Sequence, residues 1–180
     1  MPVRSTDRLT KSRFKLATEC PRKLFYAARP GLYANQKLTD DFLAALAEGG
    51  HQVGALAQCL YPAGELVATV DAARAVAETD ALLARDRVII YEPVIHVGDF
   101  FLRVDVLVKR GREVDLIEVK ARSVDPAAPG FWSERDPGRI SKRWLPYLDD
   151  VAFQTWVARR AHPDWTVHPY LMLVDRTTPT

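Results

Sequence analysis

Two glycine dipeptides thirteen residues apart, Gly98-Asp99 and Gly111-Arg112, divide the segment from Arg87 to Ala121 into three apolar runs. Glycine at the first central position of a two-residue loop suits a type II′ hairpin turn, so the segment reads as three consecutive antiparallel β-strands. Closing both turns pairs Val97 with Phe100 and Arg110 with Glu113. Counting back then sets Glu92 opposite Asp105, and Asp105 opposite Glu118. Directly opposed side chains lie about 4.5–5.5 Å apart, and like charges so placed destabilise a sheet. A row of three carboxylates away from water therefore needs a compensating cation, which is the electrostatic pattern of a metal site.

The alternation of side chains agrees. On the second strand Leu102, Val104, Val106 and Val108 point one way, and Arg103, Asp105, Leu107 and Lys109 the other. On the third, Ile117, Val119 and Ala121 share the apolar face, while Leu116, Glu118 and Lys120 share the face of Asp105. Two ordinary alternatives stand beside the metal site. The second face can simply be solvated, as in many antiparallel sheets. A turn shifted to Arg110-Gly111 would instead pair Arg103 with Glu118 as a cross-strand salt bridge.

Around these strands the chain reads as helical. Thr10 to Ala28 is a helical stretch capped by Thr10 or Ser12, with Pro21 ending one short helix or beginning another. Thr39 or Asp40 opens a second helix, interrupted at Gly49-Gly50 and continuing to Leu60, and Asp71 to Arg85 is a third. After the strands come a loop from Asp125 to Lys142, a helix from Pro146 to Arg160, and a final strand from Trp165 to Val174. A meander followed by a β-helix-β crossover builds a mixed sheet, with the last strand parallel to the third. Pro93 suits a first strand at the sheet edge, where a missing N–H is tolerated. Helices on both faces then give an α/β three-layer sandwich with a mixed sheet.

The chain has 180 residues, 48% hydrophobic and 27% charged, enough for one globular domain with a core. Residues 1–8 read as a flexible tail and 9–176 as a single domain. No run of about 18 apolar residues is present, so no membrane span is expected. Met1 to Lys15 is too polar for a signal peptide, which points to the cytoplasm. The net charge of +2 implies no polyanion partner by itself. Basic residues nevertheless gather in Arg4–Lys23 and Arg135–Arg143, with the acids between them. Cys20 and Cys59 make no disulfide framework.

Asp105 followed on the adjacent strand by Glu118-Val119-Lys120 resembles the PD-(D/E)XK nuclease superfamily, with Val104 in place of the proline. Further residues resemble its RecB-like branch, which includes CRISPR-associated exonucleases and AddB-type helicase–nucleases. Cys20-Pro21-Arg22-Lys23 with Phe25-Tyr26 is similar to the branch's N-terminal motif, and His51 stands where the branch carries a helical metal-binding histidine. Glu92 matches an accessory acid, and Asp150 to Gln154 resembles the final helical motif. The resemblance runs from about Leu9 to Val174 and implies a restriction-endonuclease-like αβββαβ core.

It also implies a chemistry. Asp105 and Glu118 would hold Mg²⁺ or Mn²⁺, hard cations that prefer carboxylate oxygen, with His51, the Val119 carbonyl and Glu92 as further ligands. Lys120 would orient the attacking water or stabilise a phosphorane-like transition state, and Gln154 would position Lys120 or the nucleic-acid backbone. The expected reaction is phosphodiester hydrolysis. Taken singly, His51 reads as a helix-end histidine, Lys120 as an exposed strand lysine, Gln154 as a surface residue and Glu92 as a lysine's partner.

The loop before the last helix adds a surface. Trp132, Arg139, Lys142 and Arg143 combine ring faces with positive charge, as binding of single-stranded DNA requires; the alternative is a loop pinned to the core by its tryptophans. Two departures from the branch stand out. Ala158 occupies the position of a tyrosine, for which Trp156 or Tyr147 can stand in. Only Cys20 matches the branch's iron–sulfur ligands, so no cluster is expected here unless the chain is the N-terminal part of a longer protein. The leading expectation is a Mg/Mn-dependent nuclease acting on DNA. A catalytically inactive nucleic-acid-binding module, and a structural fold whose acid row is a salt-bridged surface, are the others.

Overall fold

The fold is that of a computed structural model, which describes residues 8–33, 50, 52–128 and 130–178. Helices begin where capping residues stand. Thr10 Oγ1 accepts the Arg13 N–H at 3.3 Å and opens α1 (Lys11–Glu19). Pro21 starts α2 (Pro21–Ala27), where a missing N–H costs nothing. Residues 52–59 are helical and form α3. The rest of the helix expected before Leu60, with Thr39, Asp40, Gly49 and His51, lies outside the described residues, as do residues 1–7 of the expected tail. Asp71 accepts the Arg74 N–H at 2.9 Å and caps α4 (Ala72–Leu83), and α5 (Leu145–Ala161) carries Pro146 in its first turn.

The strands are β1 (Glu65–Leu66), β2 (Arg87–Tyr91), β3 (Val94–Val97), β4 (Phe100–Arg103), β5 (Val106–Arg110), β6 (Glu113–Val124) and β7 (Thr166–Asp175). A five-stranded mixed sheet runs in the order β1-β2-β5-β6-β7, and β3 and β4 form a separate pair. Both glycine turns close as read: Val97 faces Phe100 and Arg110 faces Glu113. Gly98 has φ 56° and Gly111 φ 61°, values open to glycine but not to most side chains. β7 lies parallel to β6, as the crossover requires. The shifted register does not form. Arg103 instead donates to the Val67 and Thr69 carbonyls at 2.9 Å and to the Glu92 carbonyl at 3.3 Å.

The first two of the three long strands are interrupted, which corrects two expectations. They break at Glu92-Pro93 and at Val104-Asp105, and the β3–β4 hairpin leaves the main sheet there. Glu92 has φ 55°, a left-handed value costing a non-glycine residue about 1–2 kcal/mol. Leu102 and Val104 therefore do not share a face with Val106 and Val108. The first two pack with Leu107, Leu116 and Phe153, the second two with Tyr91 and Ile117. Nor does the first strand form the sheet edge, because β1 pairs parallel with β2. Pro93 is tolerated because it sits in the break, where no ladder N–H is required.

Helices cover both faces of the main sheet. Ile90, Leu107, Val114 and Leu116 meet Ala75 of α4 and Phe153, Val157 and Ala158 of α5. Burying each of the branched aliphatic or phenylalanine side chains among them contributes about 1.5–3 kcal/mol. Tyr91, Val106, Val108 and Ile117 turn the other way, onto Tyr61 beyond α3. The Tyr91 hydroxyl donates there to the carbonyl of Gln58 at 3.1 Å, and lies against that of Tyr61. The architecture is a three-layer α/β sandwich.

α1 is fixed against this frame from two sides. Phe14 stacks on Phe153 with centroids 4.4 Å apart, a contact worth about 1 kcal/mol beyond its burial. Leu9 donates its N–H to the Asp99 carbonyl at 2.7 Å and accepts the Phe101 N–H at 3.1 Å. Among the described residues no helix is long and apolar enough to cross a membrane.

Candidate active site

The register places the acids together despite the strand breaks. Glu92 N–H donates to the Asp105 carbonyl at 3.1 Å, so these two residues remain opposed across the bend. Val106 faces Ile117 one step further, which sets Asp105 against Glu118 on the neighbouring strand. Asp105 Oδ2 accepts the Val119 N–H at 2.6 Å, which orients its carboxylate. Glu118 is fully buried and accepts from Gln154 Nε2 of α5 at 2.6 Å.

A residue that sequence reasoning missed joins the acids. Lys11 Nζ donates to Glu118 Oε2 at 2.9 Å and Oε1 at 3.1 Å, and lies 3.4 Å from Asp105 Oδ1. The two carboxylates thus share one ammonium group. The compensating cation that the acid row requires is present within the chain itself. Lys120 forms a second pair with Glu118 and a third contact with Asp150 of α5, at 3.0 Å. Gln154 accordingly touches Glu118, and the partners that hold Lys120 are Glu118 and Asp150. No spacing rule marks Lys11, because its partners lie 94 and 107 residues away. Asp150 stands in the final helical motif, where the sequence gives it no role of its own.

Burial pushes the Asp105 carboxyl up to about 6; Lys11 opposes the shift and Glu118 adds to it. Burial also works against ionised Glu118, but Lys11, Lys120 and the hydrogen bonds from Lys120 and Gln154 outweigh it, holding this carboxyl below its ordinary range. For Lys11 and Lys120 burial favours the neutral amine. The facing carboxylates again win, and both ammonium groups sit above the ordinary lysine value. The cluster at neutral pH is therefore two cations among ionised acids. Each ion pair gains about 4 kcal/mol of gross attraction at an effective dielectric near 20. Desolvating each ion costs several kcal/mol, so the cluster contributes geometry more than stability.

Two cavities open on it. One, about 340 Å³, is lined by Glu92, Asp105 and Val119 together with Gly54, Ala55 and Gln58 of α3. The other, about 540 Å³, has Lys120 in its wall with Lys15, Lys142 and Arg143, beside Phe14 and Tyr147 and the acids Glu19, Asp149 and Asp150. Lys142 and Arg143 thus line the same cavity as Lys120.

The tryptophans of that loop divide between its two readings. Trp144 is completely buried, donates its indole N–H to the Gly130 carbonyl at 2.9 Å, and is covered by Phe131 and by the Arg122 guanidinium. Arg143 donates to the same carbonyl at 2.9 Å. Gly130 has φ 62°, and a Cβ there would fall 1.8 Å from Arg143 Nη2. Trp132 is 63% exposed and free of this packing, while Arg139 pairs with Asp136 at 3.1 Å.

The donor set fits a divalent cation. Asp105 and Glu118 aim three carboxylate oxygens at one point within 3.4 Å, and the Lys11 ammonium stands at that point as a cation would. Mg²⁺ is commonly held by only one or two carboxylates, keeping several waters. Among the described residues no third His, Cys, Asp or Glu completes a metal-holding group, and His51 lies outside them. Glu92 and Val119 border the adjoining cavity. Cys20 stands between α1 and α2, and Cys59 ends α3 with its side chain exposed. No family model, curated protein or solved structure matches the chain.

Proposed function

We propose that this protein is a metal-dependent nuclease that hydrolyses phosphodiester bonds of DNA, with preference for single-stranded character. The observation that carries the reading is the convergence of Asp105 and Glu118 on one cation position, with Lys120 beside Glu118 and facing a cleft that carries three further basic side chains. The resemblance to RecB-like PD-(D/E)XK nucleases supports it, since the same residues carry that motif.

Asp105 and Glu118 are the residues that would hold Mg²⁺ or Mn²⁺, with Glu92, Val119 and His51 as the further candidates. When bound, such a cation supplies acidification of water and neutralisation of charge on a phosphate. Lys120 remains protonated because Glu118 and Asp150 face it. It therefore acts as a donor toward developing negative charge and not as a general base. Gln154 keeps Glu118 aligned from α5. Lys15, Lys142 and Arg143 neutralise backbone phosphates along the cleft, and the exposed Trp132 ring offers a face on which an unpaired base can stack.

One observation favours a second reading, a catalytically inactive nucleic-acid-binding module: Lys11 already supplies the acids with a cation. Incubation of labelled single-stranded DNA with Mg²⁺ or Mn²⁺, for the wild type and Asp105→Ala, separates the two. Metal-dependent cleavage lost in the variant supports the nuclease. Binding without cleavage by either supports the module.

A further inference from the structure

We infer that Lys11 is a displaceable occupant of the cation site: its ammonium holds Asp105 and Glu118 together until a divalent cation takes its place. The inference rests on the reading that these two acids hold a metal. Lys11 Nζ lies 2.9 and 3.1 Å from the two oxygens of Glu118 and 3.4 Å from Asp105 Oδ1. A metal bound by both carboxylates would occupy the same space, so ammonium and metal exclude each other.

The surroundings are arranged for exchange. Glu118 keeps Gln154 and Lys120 when Lys11 leaves, and Asp105 keeps the Val119 N–H. Both carboxylates thus stay oriented. α1 does not depend on the ion pair for its position, because Phe14 stacks on Phe153 and Leu9 is bonded to the β3–β4 hairpin. Lys11 sits in the first turn of α1 on a flexible four-carbon stem, and its side chain is 26% exposed. The helix can remain while its lysine departs.

Two consequences follow from charge. A monovalent ion brings no more charge than the lysine it must evict, whereas a divalent ion gains one. The site is therefore selective for divalent cations by competition as well as by ligand geometry. In addition, the metal-free acids are already neutralised, so metal binds more weakly than the same carboxylates would allow without Lys11.

Titration calorimetry with Mn²⁺ on the wild type, Lys11→Met and Lys11→Gln, with Asp105→Asn as the site control, tests the exchange. The Lys11 variants should bind Mn²⁺ at least about tenfold more tightly than the wild type, the lower bound for coupling between close charges. Asp105→Asn should abolish binding. Equal affinity in the wild type and both Lys11 variants, with binding still lost in Asp105→Asn, overturns the displacement and leaves the metal site standing. Absence of binding in every protein overturns the metal site, and the inference with it. A labelling measurement on the wild type needs no substitution to fold. Modification of Lys11 by an amine-reactive reagent, read by peptide mass spectrometry, should rise on saturation with Mn²⁺. Unchanged labelling in protein that binds Mn²⁺ contradicts the exchange.

Discussion

Gln154 Nε2 donates to Glu118 Oε2 at 2.6 Å, and neither side chain has any solvent exposure. A neutral amide reaching a buried carboxylate from a different layer of the sandwich ties α5 to the third strand of the meander. Gln154→Leu removes this donor and should destabilise the fold by about 1.5–3 kcal/mol, the range for hydrogen bonds to charged groups. Gln154→Glu sets a second carboxylate against Glu118 and should cost more. Denaturant unfolding of the two variants checks the order; equal stability of Gln154→Glu and wild type contradicts the contact.

The raised Asp105 carboxyl gives a pH dependence of defined sign. Its folded value is about 6, against about 4 for an ordinary aspartate. Between these values the folded state keeps a proton that the unfolded state has lost. The stability from protonated Asp105 is therefore full below about pH 4 and is lost as pH rises through 6. Glu118 is lowered and has the opposite sign, contributing above its unfolded value and losing that contribution on acidification. Asp105→Asn does not titrate at this position but retains Glu118. The stability of wild type relative to Asp105→Asn should thus fall by about 2–3 kcal/mol from pH 4 to pH 7. A flat or rising difference contradicts the assignment.

The period-two pattern and the glycine at 111 set the β5–β6 register, which brings Asp105 beside Glu118. The caps at Thr10 and Asp71 are equally visible, because capping is a local property of the chain. The break at Glu92-Pro93 is harder to read. A proline in a strand is compatible with an edge or with an interruption, and only the tertiary pairing of β1 with β2 excludes the edge. Lys11 is not legible at all. A lysine in the first turn of an amphipathic helix looks like any solvated charge until the fold brings that helix over the strands. The buried Trp144 and exposed Trp132 carry the same lesson: composition places both in one basic loop, and only packing separates them.

That separation is itself testable. Trp144→Ala removes a fully buried ring and should cost about 3–5 kcal/mol of stability. Trp132→Ala should change stability by no more than about 0.5 kcal/mol, yet weaken single-stranded DNA binding by the roughly 1–3 kcal/mol of one stacked base. Thermal melts and fluorescence anisotropy read the two effects. Loss of stability in Trp132→Ala with unchanged DNA binding contradicts the assignment of that ring to DNA.

Lys15 and Lys142 line the cleft beside Lys120 from α1 and from the loop. The double change Lys15→Ala with Lys142→Ala should weaken DNA binding and reduce the slope of log K against log salt by about 1.4 for single strands, ~0.7 for each phosphate that is no longer neutralised. An unchanged slope places the backbone elsewhere.

In the proposed nuclease, Asp105, Glu118 and Lys120 form a hydrolytic site in which Lys120 acts on the transition state. Cleavage and binding of labelled single-stranded DNA, measured side by side for wild type and Lys120→Ala with Mg²⁺ or Mn²⁺, test it most directly. The expected result is metal-dependent cleavage by the wild type, a loss of about a hundredfold or more in Lys120→Ala, and affinity changed by only a small factor. Cleavage by Lys120→Ala at the wild-type rate, or no cleavage by the wild type with either metal, would contradict it.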